Sequence, residues 1–199
     1  MANQNTVSGR PLTVVGFGDS LMSGFELPAA DSFPAQLEKA LKDKAIDVTI
    51  ANAGVAGDTT TDALSRLDWS VPEGTGLVIL EFGANDALRG IPPEISERNL
   101  AEIIEKLKQR KTQVILAGML APPNMGGDYQ DKFNPIFRRL ATKYDVPLYP
   151  FFLEGVAAEK SLQLEDGMHP NAAGVAKMVQ GFLPVIEKTL AGKEARASQ

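Results

Sequence analysis

Five short runs in this chain are apolar along almost their whole length, and between them the sequence changes to helical periodicity each time. The runs are Leu12–Phe17, Val48–Ala51, Leu77–Phe82, Gln113–Met119 and Val146–Tyr149. A strand with one wet face alternates apolar and polar residues. A strand that is apolar on both faces must be covered on both, and that is the condition of a parallel sheet between two layers of helices. The pattern therefore predicts an α/β chain with five parallel strands.

The intervening stripes carry their own punctuation. Phe33, Leu37, Ala40 and Leu41 recur at helical spacing, with Asp31 or Ser32 as cap and Pro34 in the first turn. A short helix is expected from about Thr59 to Leu67, capped by Asp58. Leu100, Ile103, Ile104 and Leu107 form a stripe on a charged helix, and Phe133, Ile136, Phe137, Leu140 and Tyr144 another, with Pro135 near its start. Val175, Met178, Val179, Phe182 and Ile186 form the last, where Pro184 predicts a kink. No repeat and no linker divides the sequence. A single domain over residues 1–199 is expected, with residues 1–10 and 191–199 as flexible termini.

Composition narrows the chemistry. Net charge is −5, from 20 Lys+Arg against 25 Asp+Glu, which gives no electrostatic reason to bind nucleic acid. No apolar run is long enough for stable membrane insertion. Cysteine is absent, which excludes disulfides, thiolate catalysis and sulfur-ligated metal. The single histidine, His169, cannot build an imidazole metal cluster; an all-carboxylate Mg or Ca site is not excluded by count, but no EF-hand pattern appears. Residues 1–10 lack the apolar core of a secretory signal, so the chain reads as cytoplasmic, or periplasmic if a leader has been removed.

In open α/β sheets, ligands bind beyond the carboxyl ends of the strands. Four suggestive segments fall there. Ser20 follows the first apolar run, Gly57 the second and Asn85 the third, while Asp166 and His169 lie beyond the fifth. A serine needs an adjacent base to become a nucleophile, and only one imidazole is available. Asp166 stands three residues before His169, within reach of its ring. Gly57 lets a backbone N–H approach an oxyanion, and Asn85 supplies an amide donor. Each residue also has a plainer explanation. Ser20 can cap a helix, His169 can be a solvated turn residue, Gly57 a turn and Asn85 an Asx-turn. The Gly-x-Ser-x-Gly elbow is missing because position 22 is Met, and the dinucleotide fingerprint fails at Leu21. Trp69 is expected to be partly buried packing. Glu81 is out of place in an apolar strand and receives no catalytic role, and Asp19 and Asp86 are expected to hold loops by hydrogen bonds.

Gly18-Asp19-Ser20-Leu21, Gly57 after Asn52-Ala53-Gly54, Gly83-x-Asn85-Asp86 and Asp166-x-x-His169 resemble the four signature blocks of the SGNH (GDSL) hydrolases, in order and spacing. The resemblance runs from about Leu12 to Leu190. Asn85-Asp86-Ala87-Leu88-Arg89-Gly90, Tyr144-Asp145-Val146-Pro147-Leu148 and Pro150-Phe151-Phe152 are similar to the bacterial arylesterase and multifunctional thioesterase I–lysophospholipase branch. It implies a flavodoxin-like α/β/α sandwich and a serine esterase with no cofactor. Ser20 would be the nucleophile, His169 the base and Asp166 its orienting acid, with Ser20, Gly57 and Asn85 as oxyanion donors. The implied substrates are small aryl and short-to-medium acyl esters, with thioesters and lysophospholipids as further members of the range. Two loops are candidates for the acyl site: Ala87, Leu88, Arg89, Gly90 and Ile91 after the oxyanion Asn, which the resemblance marks as a mobile substrate loop, and Pro122 and Met125 after the fourth strand. The alternatives are an acyltransferase or perhydrolase using the same triad, and a non-catalytic lipid- or carbohydrate-binding relative.

Overall fold

The computed structural model describes residues 12–197. The expected flexible segment at residues 1–10 lies outside them. Five parallel strands form one sheet: β1 (Leu12–Gly18), β2 (Val48–Gly54), β3 (Leu77–Glu81), β4 (Gln113–Ala117) and β5 (Leu148–Tyr149). They lie in the order β2-β1-β3-β4-β5. This is the flavodoxin-like doubly wound arrangement, in which the strand order reverses between β1 and β3 and leaves a crevice at their carboxyl ends. The register sets the level of that crevice, since Gly18 at the end of β1 pairs with Gly54 of β2 on one side and Glu81 of β3 on the other.

The described residues also form eight α-helices: α1 (Ser20–Ser23), α2 (Phe33–Asp43), α3 (Thr60–Ser70), α4 (Ala84–Leu88), α5 (Pro93–Gln109), α6 (Gly127–Phe133), α7 (Ile136–Tyr144) and α8 (Ala172–Ala197). Helices α2 and α8 pack together on one face, and α3, α5 and α7 follow one another on the other. The core is continuous through the sheet. Val14, Phe17, Leu77, Ile79, Leu80, Ile115 and Leu116 are all fully buried or nearly so. On the α2–α8 side an aromatic cluster fills the space, with Phe182 in edge contact with Phe33 at 5.4 Å, Tyr149 at 5.3 Å and Phe152 at 6.4 Å between ring centroids.

Several local expectations are corrected. The cap of α3 is Thr59, not Asp58. Thr59 accepts from the Asp62 N–H while the Asp62 carboxylate accepts from the Thr59 N–H, a reciprocal capping box. Asp58 turns instead to Arg66. Ser32 is the residue before α2, and its hydroxyl points back to the Ala29 carbonyl. The stripe from Phe133 to Tyr144 is split, because Pro135 lacks an N–H to continue α6 and starts α7 instead. The fifth strand starts at Leu148 rather than Val146, whose N–H closes the end of α7 on Ala141. Helix α8 spans Ala172–Ala197 with Pro184 inside it, and Phe182 and Ile186 are buried on either side of the proline. Trp69 is 74% exposed rather than partly buried. It lies two residues beyond the buried Leu67, about 200° round the helix.

Phe182 touches three aromatic rings and has no route to solvent. Phe182→Ala is expected to cost about 3–5 kcal/mol, read as a lower urea midpoint with an unchanged slope.

Candidate active site

The site is assembled from three strand ends and one distant loop. Beyond β1, Asp19 caps α1 through its carboxylate, which accepts from the Leu21 N–H at 3.0 Å, and Ser20 becomes the first residue of that helix. Asp19 therefore takes the capping role that Ser20 could have played and frees the Ser20 hydroxyl. Beyond β5, the segment Leu162–Asn171 folds back on itself. Leu164 N–H donates to the His169 carbonyl and Asn171 N–H to the Leu162 carbonyl, and the Asn171 side chain accepts from Gly174 N–H at the start of α8. This fold-back holds Asp166 and His169 facing Ser20.

His169 Nε2 stands 2.9 Å from Ser20 Oγ, and His169 Nδ1 stands 2.5 Å from Asp166 Oδ2. The second oxygen of Asp166 accepts from the backbone N–H groups of Met168 and His169, at 2.9 and 3.0 Å. The bond from the imidazole, followed by the backbone bond from His169, lowers the Asp166 pKa to about 2 although the group is partly exposed. A carboxylate only accepts, so Nδ1 carries the ring proton and Nε2 presents a lone pair to the serine hydroxyl. Phe25 covers the imidazole, with centroids 4.5 Å apart and planes tilted by 35°.

Ser20, Gly57, Asn85 and His169 line one cavity of about 200 Å³. Gly57 has φ +86°, a left-handed conformation that a side chain would strain. Neither its N–H nor that of Ser20 donates to another group among the described residues. The Asn85 amide is held in place, donating to Asp19 Oδ2 at 3.1 Å and to the Asp58 carbonyl at 3.0 Å. The remaining lining is apolar: Leu21, Phe25, Ala56, Ala84, Leu88, Leu153 and Met168.

The substrate-loop candidates separate. Leu88 lines the cavity and is half exposed. Ala87 does not, because α4 turns it into the core. Arg89 reaches across to donate to the Gly57 carbonyl at 2.7 Å. Ile91 is tied down by Tyr129, whose hydroxyl donates to its carbonyl at 2.7 Å. Gly90 and Met125 lie close together, and the Pro122 carbonyl accepts from Met125 N–H and from Gln130. Pro122 and Met125 thus pack the second loop onto the first, outside the catalytic cavity. Asp86 holds loops as expected. It accepts from Thr60 N–H at 2.9 Å, the Thr60 hydroxyl at 2.5 Å and the Ser96 hydroxyl at 2.8 Å, which joins α3, α4 and α5 below Asn85.

Phe25, Leu153 and Arg66 were not foreseen. Arg66 is almost wholly buried. Its Nε donates to Asp58 Oδ2 at 2.6 Å, and its other nitrogens reach the carbonyls of Ala53 and Gly18 and the Ser70 hydroxyl. The guanidinium also lies over the Phe17 ring, 4.6 Å from its centroid. One cation thereby ties together the ends of β1 and β2 and the loop that carries Gly57.

Comparison with known proteins agrees with this geometry. Residues 17–177 match the model of the GDSL-like lipase/acylhydrolase family. An arylesterase of Vibrio mimicus is 40% identical over 154 residues, 77% of each chain. The thioesterase 1/protease 1/lysophospholipase L1 of Escherichia coli K12 is 34% identical over 160 residues, 80% of this chain and 76% of its own. The crystal structure of AlinE4, an SGNH-hydrolase family esterase, superposes with a TM-score of 0.77 at 43% identity, covering 92% of this chain and 98% of that one. The chain belongs to the GDSL-like lipase/acylhydrolase family and is a serine ester hydrolase.

Arg66→Met keeps the bulk of the side chain but removes the donor to the Asp58 carboxylate and to the Ala53 carbonyl, and one of the two donors to the Gly18 carbonyl. Removing one partner of a buried pair is expected to cost about 3–5 kcal/mol, measured by denaturant unfolding. A loss below about 1 kcal/mol would show that the pair behaves like a surface ion pair.

Proposed function

We propose that the chain is a single catalytic domain that hydrolyses small esters, aryl and short acyl, by two-step acyl transfer on Ser20. The observation that carries this is the continuous hydrogen-bonded line Asp166–His169–Ser20 opening into a small apolar cavity. His169 Nε2 takes the hydroxyl proton as Ser20 Oγ attacks the carbonyl carbon. The negative charge that develops on the carbonyl oxygen is met by the free N–H groups of Ser20 and Gly57 and by the Asn85 amide. The amide gives up or shares one of its present acceptors to do so. His169 then protonates the leaving alcohol or phenol, and the Asp166 carboxylate stabilises the imidazolium in the interval. Water, deprotonated by His169, attacks the acyl-enzyme and releases the acid.

Water is the natural second acceptor because the relatives are named esterases and a thioesterase, not transferases. The substrate range follows from size. Sites that enclose drug-sized ligands run to roughly 300–1,000 Å³. A cavity of about 200 Å³ bounded by Phe25, Leu88, Leu153 and Met168 suits an aryl ring or a short acyl chain.

Ser20→Ala is expected to lower kcat on the order of 10⁴–10⁶-fold without changing the melting temperature. A phosphonate ester should label Ser20 in the parent, and a label on any other residue would remove it from the nucleophile's place. Across p-nitrophenyl esters of increasing chain length, kcat/KM should peak at short acyl groups. A peak at long chains would mean that the cavity opens well beyond its present volume.

A further inference from the structure

Two carboxyl groups lie under the catalytic crevice in full burial, Asp19 and Glu81. Glu81 ends β3 and has no part in the mechanism above. Its Oε2 accepts from the Asp19 N–H at 3.2 Å, and its Oε1 is enclosed without accepting from any group. The main chain is pressed close here, since a Cβ on Gly18 would stand 2.5 Å from Glu81 Oε2. The Asp19 N–H bond holds the Glu81 carboxyl group against the residue that bears the second carboxyl group.

Among the described residues, the charged groups around the pair leave no cation for it. Arg66 is engaged by Asp58 and by the carbonyls of Gly18 and Ala53, and His169 by Asp166 and Ser20, while Asp58 adds a further negative charge. Two buried carboxylates in contact and without a cation do not both ionise, so the pair holds a proton. The donors decide where it sits. Both oxygens of Asp19 already accept, Oδ1 from Leu21 N–H and Oδ2 from the Asn85 amide. Glu81 has one oxygen free. The direction of titration agrees: burial, then the charge of Asp19, pushes Glu81 well above the usual carboxyl range, whereas Asp19 rises only to about 6.

We infer that Glu81 is a positioning residue: a buried neutral carboxylic acid whose hydroxyl donates to the Asp19 carboxylate and so fixes the groups that Asp19 holds, the Asn85 amide and the start of the helix bearing Ser20. This inference rests on the assignment of Ser20 and Asn85 as nucleophile and oxyanion donor. It gives the proton two tasks. It locks the Asp19 carboxylate in the orientation that caps α1. It also draws part of the Asp19 charge onto the Glu81 side, which lessens the repulsion of an oxyanion formed near Asn85.

The test compares Glu81→Gln, which keeps a donor and an acceptor, with Glu81→Leu, which keeps neither. In the infrared difference spectrum of parent minus Glu81→Gln at neutral pH, a protonated-carboxyl C=O stretch is expected, read without turnover. In a short-chain ester assay, Glu81→Leu should lower kcat about 10–100-fold with KM little changed, and Glu81→Gln should restore kcat to within about 3-fold of the parent. Absence of the infrared band, a Leu variant with parental kcat, or a Gln variant as slow as Leu would each overturn the inference. If the Leu variant does not fold, the band and the kcat of the Gln variant decide. Ser20→Ala run alongside separates the two failures, since turnover there would remove the nucleophile assignment while the infrared band still reports on Glu81.

Discussion

The central strand β1 pairs in parallel with β2 on one side and β3 on the other, and its register fixes everything above it. Gly18, Gly54 and Glu81 end at one level, so the three loops that follow begin side by side. A one-residue slip would exchange the two faces of a strand and unseat its buried side chains, and in the β1–β3 pairing it would also shift Ser20 against Asn85. The core that prevents such a slip is the same core that makes the chain fold. Catalytic precision is thus inherited from hydrophobic register, and the loops need only short, local devices to finish the placement.

Those devices are polar and form one balanced network. Arg66 is the buried cation and pairs with Asp58, Asp19 caps α1 through its carboxylate, and Asp86 gathers three donors under α4. Asn85 joins the two halves, because its amide donates both to the Asp19 carboxylate and to the Asp58 backbone. A group bonded in this way costs little when buried, and each lost partner leaves a desolvated atom behind. The crevice floor is therefore stiff as a unit. The Ser20 hydroxyl, the Asn85 amide, the His169 ring and Gly57 line the cavity above it.

The sequence offers candidates where a demanding side-chain chemistry falls beyond an apolar run. Ser20, Gly57, Asn85, Asp166 and His169 could be named as candidates because few residue types can do the work proposed for them and because their positions follow apolar runs. The sheet was legible for the same reason, with strand ends misjudged by one to three residues where loop hydrogen bonds prolong or cut the pairing. Arg66 was not legible, since an arginine on a short polar helix looks like a solvated charge until the helix is seen to face Phe17 and Phe82. Trp69 failed in the opposite sense, because its apolar character suggested burial while its place on α3 gave it to solvent. Glu81 was visible as an anomaly, but its partner lies 62 residues away and no local pattern connects them.

Asp166 and His169, the proposed acid and base, are held by a different principle from Ser20. Asp166 is partly exposed, and an exposed ion pair in water is worth little. What holds it is chelation: one carboxylate accepts from the His169 ring and from two successive backbone N–H groups within a three-residue span. Those bonds form within the turn itself, so the ring orientation does not depend on the core in the way that Ser20 does. The fold-back between Leu162 and Asn171 then has one remaining task, to bring this preformed unit to Ser20, and it does so with backbone bonds and the cap of α8. A sequence with a single histidine can therefore place it with confidence far from the strands, because the turn that orients the ring is carried with it.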